Sequence, residues 1–147
     1  MIPHLDYTDT LLLDVDGGET TEDVIRRRAE RLGLEVDWVD SHASKSLNKH
    51  FFVKLRNPVS IDQVPILQAL LGSDVKRECL IYRRIKHGTY MNVFFSKAYQ
   101  VGIPVKVGKN PSELIKWFNC VCGGFLELIR LWGFSPDSLI RGVNPLD

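Results

Sequence analysis

Asp14 and Asp16 stand one residue apart at the end of the apolar run "TLLLDVDGG", residues 10–18. Side chains two apart in a strand share a face, so both carboxylates would point the same way. Two like charges held together suit a hard divalent cation, Mg2+ or Mn2+, which takes oxygen ligands and bridges to substrate phosphates. The plainer alternative is a strand running out into a solvated Asp-Gly-Gly turn. A second group is "SKSLNKH", Ser44 to His50, where an imidazole, loop amides and the ammonium groups of Lys45 or Lys49 can contact a phosphate. The alternative there is a surface hairpin with a half-buried histidine. A third is "RRIKHGTYMN", where Arg84, Lys86 and His87 make a positive patch suited to phosphate oxygens, and equally suit the negative end of a helix. Asp74 and Glu78 lie four apart, can share a helix face, and are the candidates for a third carboxylate, with Lys76 and Arg77 as neighbours.

These groups need elements to hold them. Residues 10 to 16 read as a strand, and "GGETTEDVIRRRAERLG" as a helix with Thr20 or Thr21 as cap, acids in the first turn, bases in the last and Gly33 as stop. Its apolar stripe is thin, so it lies on a sheet with a wet outer side. "LEVDWVDS" alternates as a second strand and "HFFVKL" forms a third, joined by a link short enough for a hairpin. "RNPV" reads as a turn. "SIDQVPILQALLGSDVKRECLIYRRIKHG" is helical, with Pro65 in its first turn and a break at Gly72. "TYMNVFFSKAY" supplies a fourth strand, and the order β-α-β-β-α-β is the split unit of ferredoxin-like and RRM-like sheets, an α+β sandwich. In that unit the first and third strands are central neighbours, which would bring Asp14, Asp16 and His50 together. "VGIPVKVGK" is a short extra strand. A helix opening at Asn110-Pro111-Ser112-Glu113 continues through "LIKWFNCVCGGFLELIRLW", whose apolar surface is expected to bury against the sheet, with cover by a partner as the alternative.

The 147 residues fit a single domain, residues 10–95 as its core and 96–147 as a C-terminal extension. A net charge of +1 announces no global basic field, though a local groove can still be basic. Cys79, Cys120 and Cys122 are an odd set without an export signal, which points to a reducing cytoplasmic setting rather than a disulfide framework. Cys120-x-Cys122 lacks the second pair that structural zinc needs, so buried apolar cysteines are expected. Trp117, Phe118, Phe125 and Trp132 read as core. No apolar run reaches the length of a membrane-spanning helix.

Taken in order, Asp14-Val-Asp16, "SKSLNKHFFVKL", "LLGSD" and "RRIKHGTYMN" resemble the catalytic core of archaeo-eukaryotic primases and of the primase-polymerases of plasmids and viruses. The resemblance covers roughly residues 10 to 95 and implies an RRM-like fold. It also implies a nucleotidyltransferase of DNA replication, minimal or degenerate, encoded by a mobile element or virus and working in the host cytoplasm. Asp14 and Asp16 would hold two Mg2+ or Mn2+ ions, with Asp74 as a further metal ligand. Ser44 and His50 would contact the incoming nucleotide's phosphates and Arg84 would sit near substrate or template, with Lys45, Lys49, Lys86 and His87, read from the residues themselves, as further binding candidates beside them. The reaction would be attack of a 3'-hydroxyl on an α-phosphate. The partners implied are nucleotides and DNA, or RNA, and a replication protein or second copy against the apolar C-terminal helix. This chain departs from the family in two places: "YMNVFFS" carries no third acid, for which Glu78 or Asp74 must stand in, and His87 replaces the turn proline. Two alternatives come from other classes. One is a non-catalytic RRM-like nucleic-acid-binding protein stacking bases on Phe51 or Phe52. The other is a haloacid-dehalogenase-like phosphatase with Asp14 as nucleophile, suggested by "LLLDVDGG".

Overall fold

The computed structural model describes residues 7–15, 19–43, 49–88 and 111–147. Strand β1 (Tyr7–Val15) leads into helix α1 (Glu22–Arg31), followed by strands β2 (Val36–Ala43) and β3 (Lys49–Ser60). A single 3-10 turn then enters α2 (Val64–Leu71), α3 (Val75–Lys86), α4 (Pro111–Leu131) and α5 (Pro136–Ile140). The three described strands form one antiparallel sheet in the order β1-β3-β2, so the first and third strands are neighbours, as expected. The fourth strand expected over 89–99 and the short extra strand that follows lie outside the described residues.

The sheet follows from alternation. Leu11, Leu13 and Val15 of β1 and Phe51, Val53 and Leu55 of β3 are buried on one face, against Ile25 and Ala29 of α1 and Val64, Leu67 and Leu71 of α2. Helix α1 forms where its caps predict. The Thr21 hydroxyl accepts from the Val24 N–H at 3.3 Å, Glu22 and Asp23 fill the first turn, and Gly33 takes φ 77° just past the end. Strand β3 runs longer than its apolar core suggested. "RNPV" is not a turn but part of the strand, because β1 keeps pairing to Ser60 past an irregularity at Asp9. Pro58 is tolerated there because β2 pairs only as far as Leu55, leaving the missing N–H on an unpaired side.

Gly72 breaks the helical stretch as expected and adopts φ 125°. A Cβ there would sit 2.7 Å from Arg28 Nη1. That guanidinium is buried, donates to the Leu71 carbonyl at 3.0 Å and forks onto the Asp147 carboxylate at 2.8 and 2.9 Å. The paired guanidinium holds Asp147 below the usual carboxylate range.

The C-terminal helix does not bury against the sheet. Phe118, Phe125 and Ile129 of α4 pack with Ile66 and Leu70 of α2, Cys79 of α3 and Leu139 of α5 in a second, helical core. Helix α2 is apolar nearly all round and buried at every position, so it serves both cores and stands between α4 and the helix-covered face of the sheet. Helix α4 is kinked at Cys122, with φ −139° and ψ 39°, just before Gly123-Gly124. Gly124 is where the Tyr82 hydroxyl presses, 3.0 Å from where a Cβ would stand. The cysteines also differ from expectation: Cys79 and Cys122 form a disulfide joining α3 to α4, and Cys120 is exposed and free. Packing on α2 brings their Cα atoms to 5.9 Å, within bridging range, a proximity invisible in residues 43 apart.

Candidate functional site on the outer sheet face

Cross-strand partners share a face, so the register assigns what the side turned away from α1 and α2 presents. Three rows run across it: Asp14, His50 and His42; Leu12, Phe52 and Asp40; Thr10, Lys54 and Trp38. Asp14 and His50 are direct partners, with Oδ1 3.6 Å from Nε2 and side chains 21% and 27% exposed. That shelter separates them from the neighbouring Asp40–His42 pair, 3.4 Å apart but 61% and 62% exposed, where solvent screens charge. His42 meets the Phe52 ring edge-on, centroids 5.5 Å apart. At the other end Lys54 bonds Asp9, which the strand irregularity turns toward it, and holds that carboxyl below its ordinary range.

The opposite edge of β1 is closed by side chains. Gln68 Oε1 accepts from the Leu12 N–H at 2.8 Å, and Arg77 Nη1 donates to the Leu12 carbonyl at 2.9 Å. The Asp14 N–H donates to Ser73 Oγ at 3.0 Å, and the Asp14 carbonyl accepts from the Asp74 N–H at 2.7 Å. Glu78, fully buried, accepts at one carboxylate oxygen from Gln68 Nε2 at 2.6 Å. At the other it accepts from Ser73 Oγ at 2.7 Å and from Arg77. Burial pushes its carboxyl up to about 7, against the downward pull of Arg77, Ser73 and Gln68.

The expected site residues therefore separate into groups. Asp14 and His50 come together. Lys49 is exposed at the start of β3, opposite Val15. Glu78 is not brought to the outer face; it is the centre of the buried network. Asp74 does not share a helix face with it, because it is the N-cap of α3, its side chain accepting from the Lys76 N–H at 3.1 Å. Arg84, Lys86 and His87 occupy the far end of α3, about 18 Å along the axis from Asp74, where Lys86 sits over the Tyr82 ring and His87 caps the helix. The structure does not gather them with Asp14. Asp16, Ser44 and Lys45 lie outside the described residues. Of the two aromatic candidates, Phe51 is buried against the helices and Phe52 faces outward.

His42, Asp40, Gln68 and Ser73 were missed in the sequence. Gln68 had a signal: a lone amide in "VPILQALL" must find partners once that helix is buried. His42 and Asp40 had only their spacing of two, and their place beside His50 and Phe52 depends on register. Among the described residues, no group of three or more His, Cys, Asp or Glu side chains is placed to hold a metal ion, and no helix is long and apolar enough to cross a membrane. No protein-family model, curated protein or solved structure matches the chain.

Proposed function

We propose that the outer sheet face around Asp14 is a nucleotide phosphate site of the primase-polymerase kind, with His50 donating to a phosphate oxygen and Asp14 and Asp16 holding Mg2+ or Mn2+. The observation that carries this reading is the direct cross-strand pairing of Asp14 with His50, in a sheltered position at the end of β1. A sheltered carboxylate at a strand end suits a hard divalent ion, Mg2+ or Mn2+, with Asp16 to complete the pair, and the imidazole beside it is left for the phosphate. Such an ion supplies charge neutralisation at phosphate oxygens. His50 is anchored in the middle strand, so it is held against a substrate rather than recruited to it.

The split β-α-β-β-α-β arrangement belongs to the same proposal, with β1-β3-β2 as its described part. In that unit a fourth strand flanks β1. The outward groups of Leu12 and Asp14 are already bonded, and those of Thr10 meet the Thr8 hydroxyl, so a strand pairing on this edge must displace the Thr8 hydroxyl or stay before Thr10.

A second reading, a single-strand binding platform without catalysis, is favoured by one observation. Phe52, His42 and the 48%-exposed Trp38 share the outer face with Lys54, the mixture of stacking rings and positive charge that bases and backbone require. The phosphatase alternative gains no support, because every described strand pair is antiparallel and that fold needs parallel strands with helical crossovers.

Calorimetry with a nucleoside triphosphate, with and without Mn2+, tests the proposal. Metal-dependent binding that vanishes in Asp14→Ala/Asp16→Ala, and weakens about tenfold in His50→Ala for one lost charge-assisted hydrogen bond, is expected. Binding unchanged in the double variant, or none in the wild type, overturns it. Metal-independent binding of an oligonucleotide that is lost in Phe52→Ala would instead establish the platform.

A further inference from the structure

Resting on that reading, we infer that Gln68, Ser73, Arg77 and Glu78 form a buried positioning device that fixes Asp14 for its ligand. The four side chains converge on one short stretch of backbone. Three of them bond to β1 directly, at the Leu12 N–H, the Leu12 carbonyl and the Asp14 N–H, and the next residue in the chain, Asp74, takes the Asp14 carbonyl. Glu78 touches none of these groups, yet it accepts from all three of the side chains that do. It is thus the centre that orients them, and its role is positioning rather than contact with substrate.

Edge closure alone does not call for this construction. A strand edge is blunted at least cost by exposed charges, a bulge or a neighbouring strand. A fully buried Arg77–Glu78 pair gains little net stability over apolar side chains of the same volume, because both charges lose their water. What such a network does supply is a single arrangement, since every member has its partners in only one geometry. The place where that arrangement is applied is the informative part. It takes the outward N–H and carbonyl of Asp14 itself, while Leu13 and Val15 on either side pair with Phe51 and Lys49 of β3 on the inner edge. Asp14 is thus an outer-face carboxylate whose own backbone N–H and carbonyl are both bonded by Ser73 and Asp74, the junction that carries the network. Ligand-holding carboxylates need support of this kind, because a displacement of well under an ångström degrades a metal site.

The experiment measures Mn2+ affinity by electron paramagnetic resonance of the free ion, on the whole chain, well below each variant's melting temperature. Ser73→Ala removes the acceptor of the Asp14 N–H, and Glu78→Gln keeps the volume of the centre while breaking its pattern of acceptors. Leu139→Ala, in the helical core away from β1, serves as a stability-matched control. Ser73→Ala and Glu78→Gln are expected to weaken Mn2+ binding about tenfold, as loss of supporting partners does at metal sites, with Leu139→Ala unchanged. Wild-type affinity in both network variants, alongside loss of binding in Asp14→Asn, overturns this inference and leaves the site reading standing. Weakening of all three variants in proportion to their loss of stability overturns it equally. A wild-type protein that binds no Mn2+ overturns the site reading and this inference with it. Where Ser73→Ala fails to fold, Glu78→Gln against Leu139→Ala decides alone.

Discussion

Glu78 carries the clearest electrostatic consequence of any single residue in the described structure. Its carboxyl is raised from 4.5 to about 7 by burial, outweighing Arg77 and the hydrogen bonds it accepts. Between those two values the native protein retains a proton that the unfolded chain has released. Its contribution to stability therefore falls as pH rises through that window and levels off above it. Glu78→Gln, which cannot ionise, removes that dependence. Urea midpoints of the variant and wild type, compared from about pH 5 to about pH 8, should shift in the variant's favour with rising pH. A constant difference across the range would show that Glu78 stays ionised in the fold. Asp74 makes a contrasting prediction. As the N-cap of α3 it should lose about 1 kcal/mol on substitution by Ala but very little as Asp74→Asn, since asparagine caps as well, a distinction that thermal unfolding reads directly.

The junction between α2 and α3 is the element on which most else depends. Gly72 must take φ 125° for the chain to turn from α2 toward β1, and the space its missing Cβ leaves is filled by the Arg28 guanidinium. Gly72→Ala combines an unfavourable backbone conformation with a close approach to a buried charged group. It should cost about 2 kcal/mol or more, measured by chemical denaturation. The same junction carries Ser73 and Asp74 to the end of β1, so this variant should also weaken ligand binding at Asp14. The α3 end that holds Arg84, Lys86 and His87 points elsewhere, and neutralising Lys86 and His87 together should leave nucleotide binding unchanged in the same calorimetric assay.

At the scale of the whole molecule, two cores share α2. The sheet core and the helical core meet through a helix buried at every position, while the Cys79–Cys122 disulfide ties α4 to α3 on the helical side. That bond closes a loop between residues 43 apart, for which chain entropy gives a stabilisation of about 4 kcal/mol. Cys79→Ala/Cys122→Ala, or reduction of the native protein, should lower the unfolding free energy by an amount of that order, while Cys120→Ser leaves it unchanged. Equal stability of oxidised and reduced protein would show that the helical core holds α4 without the bond.

The local pattern of the sequence determined the three described strands, the capped helix α1 and the break at Gly72. It did so because alternation, capping and helix stops are short-range signals. It also placed Asp14 and His50 as neighbours, through the strand order that a short β2–β3 link and an intervening helix impose. Tertiary structure alone decided the rest. Whether Glu78 faced a ligand or the interior depended on how α3 packed against the edge of β1, and whether Cys122 met Cys79 depended on how α4 packed on α2. The companionship of His42 and Phe52 depended on the register of two strands. Each of these is a contact between residues far apart in the chain, and no local pattern encodes it: only the packing of complete elements brings such groups together.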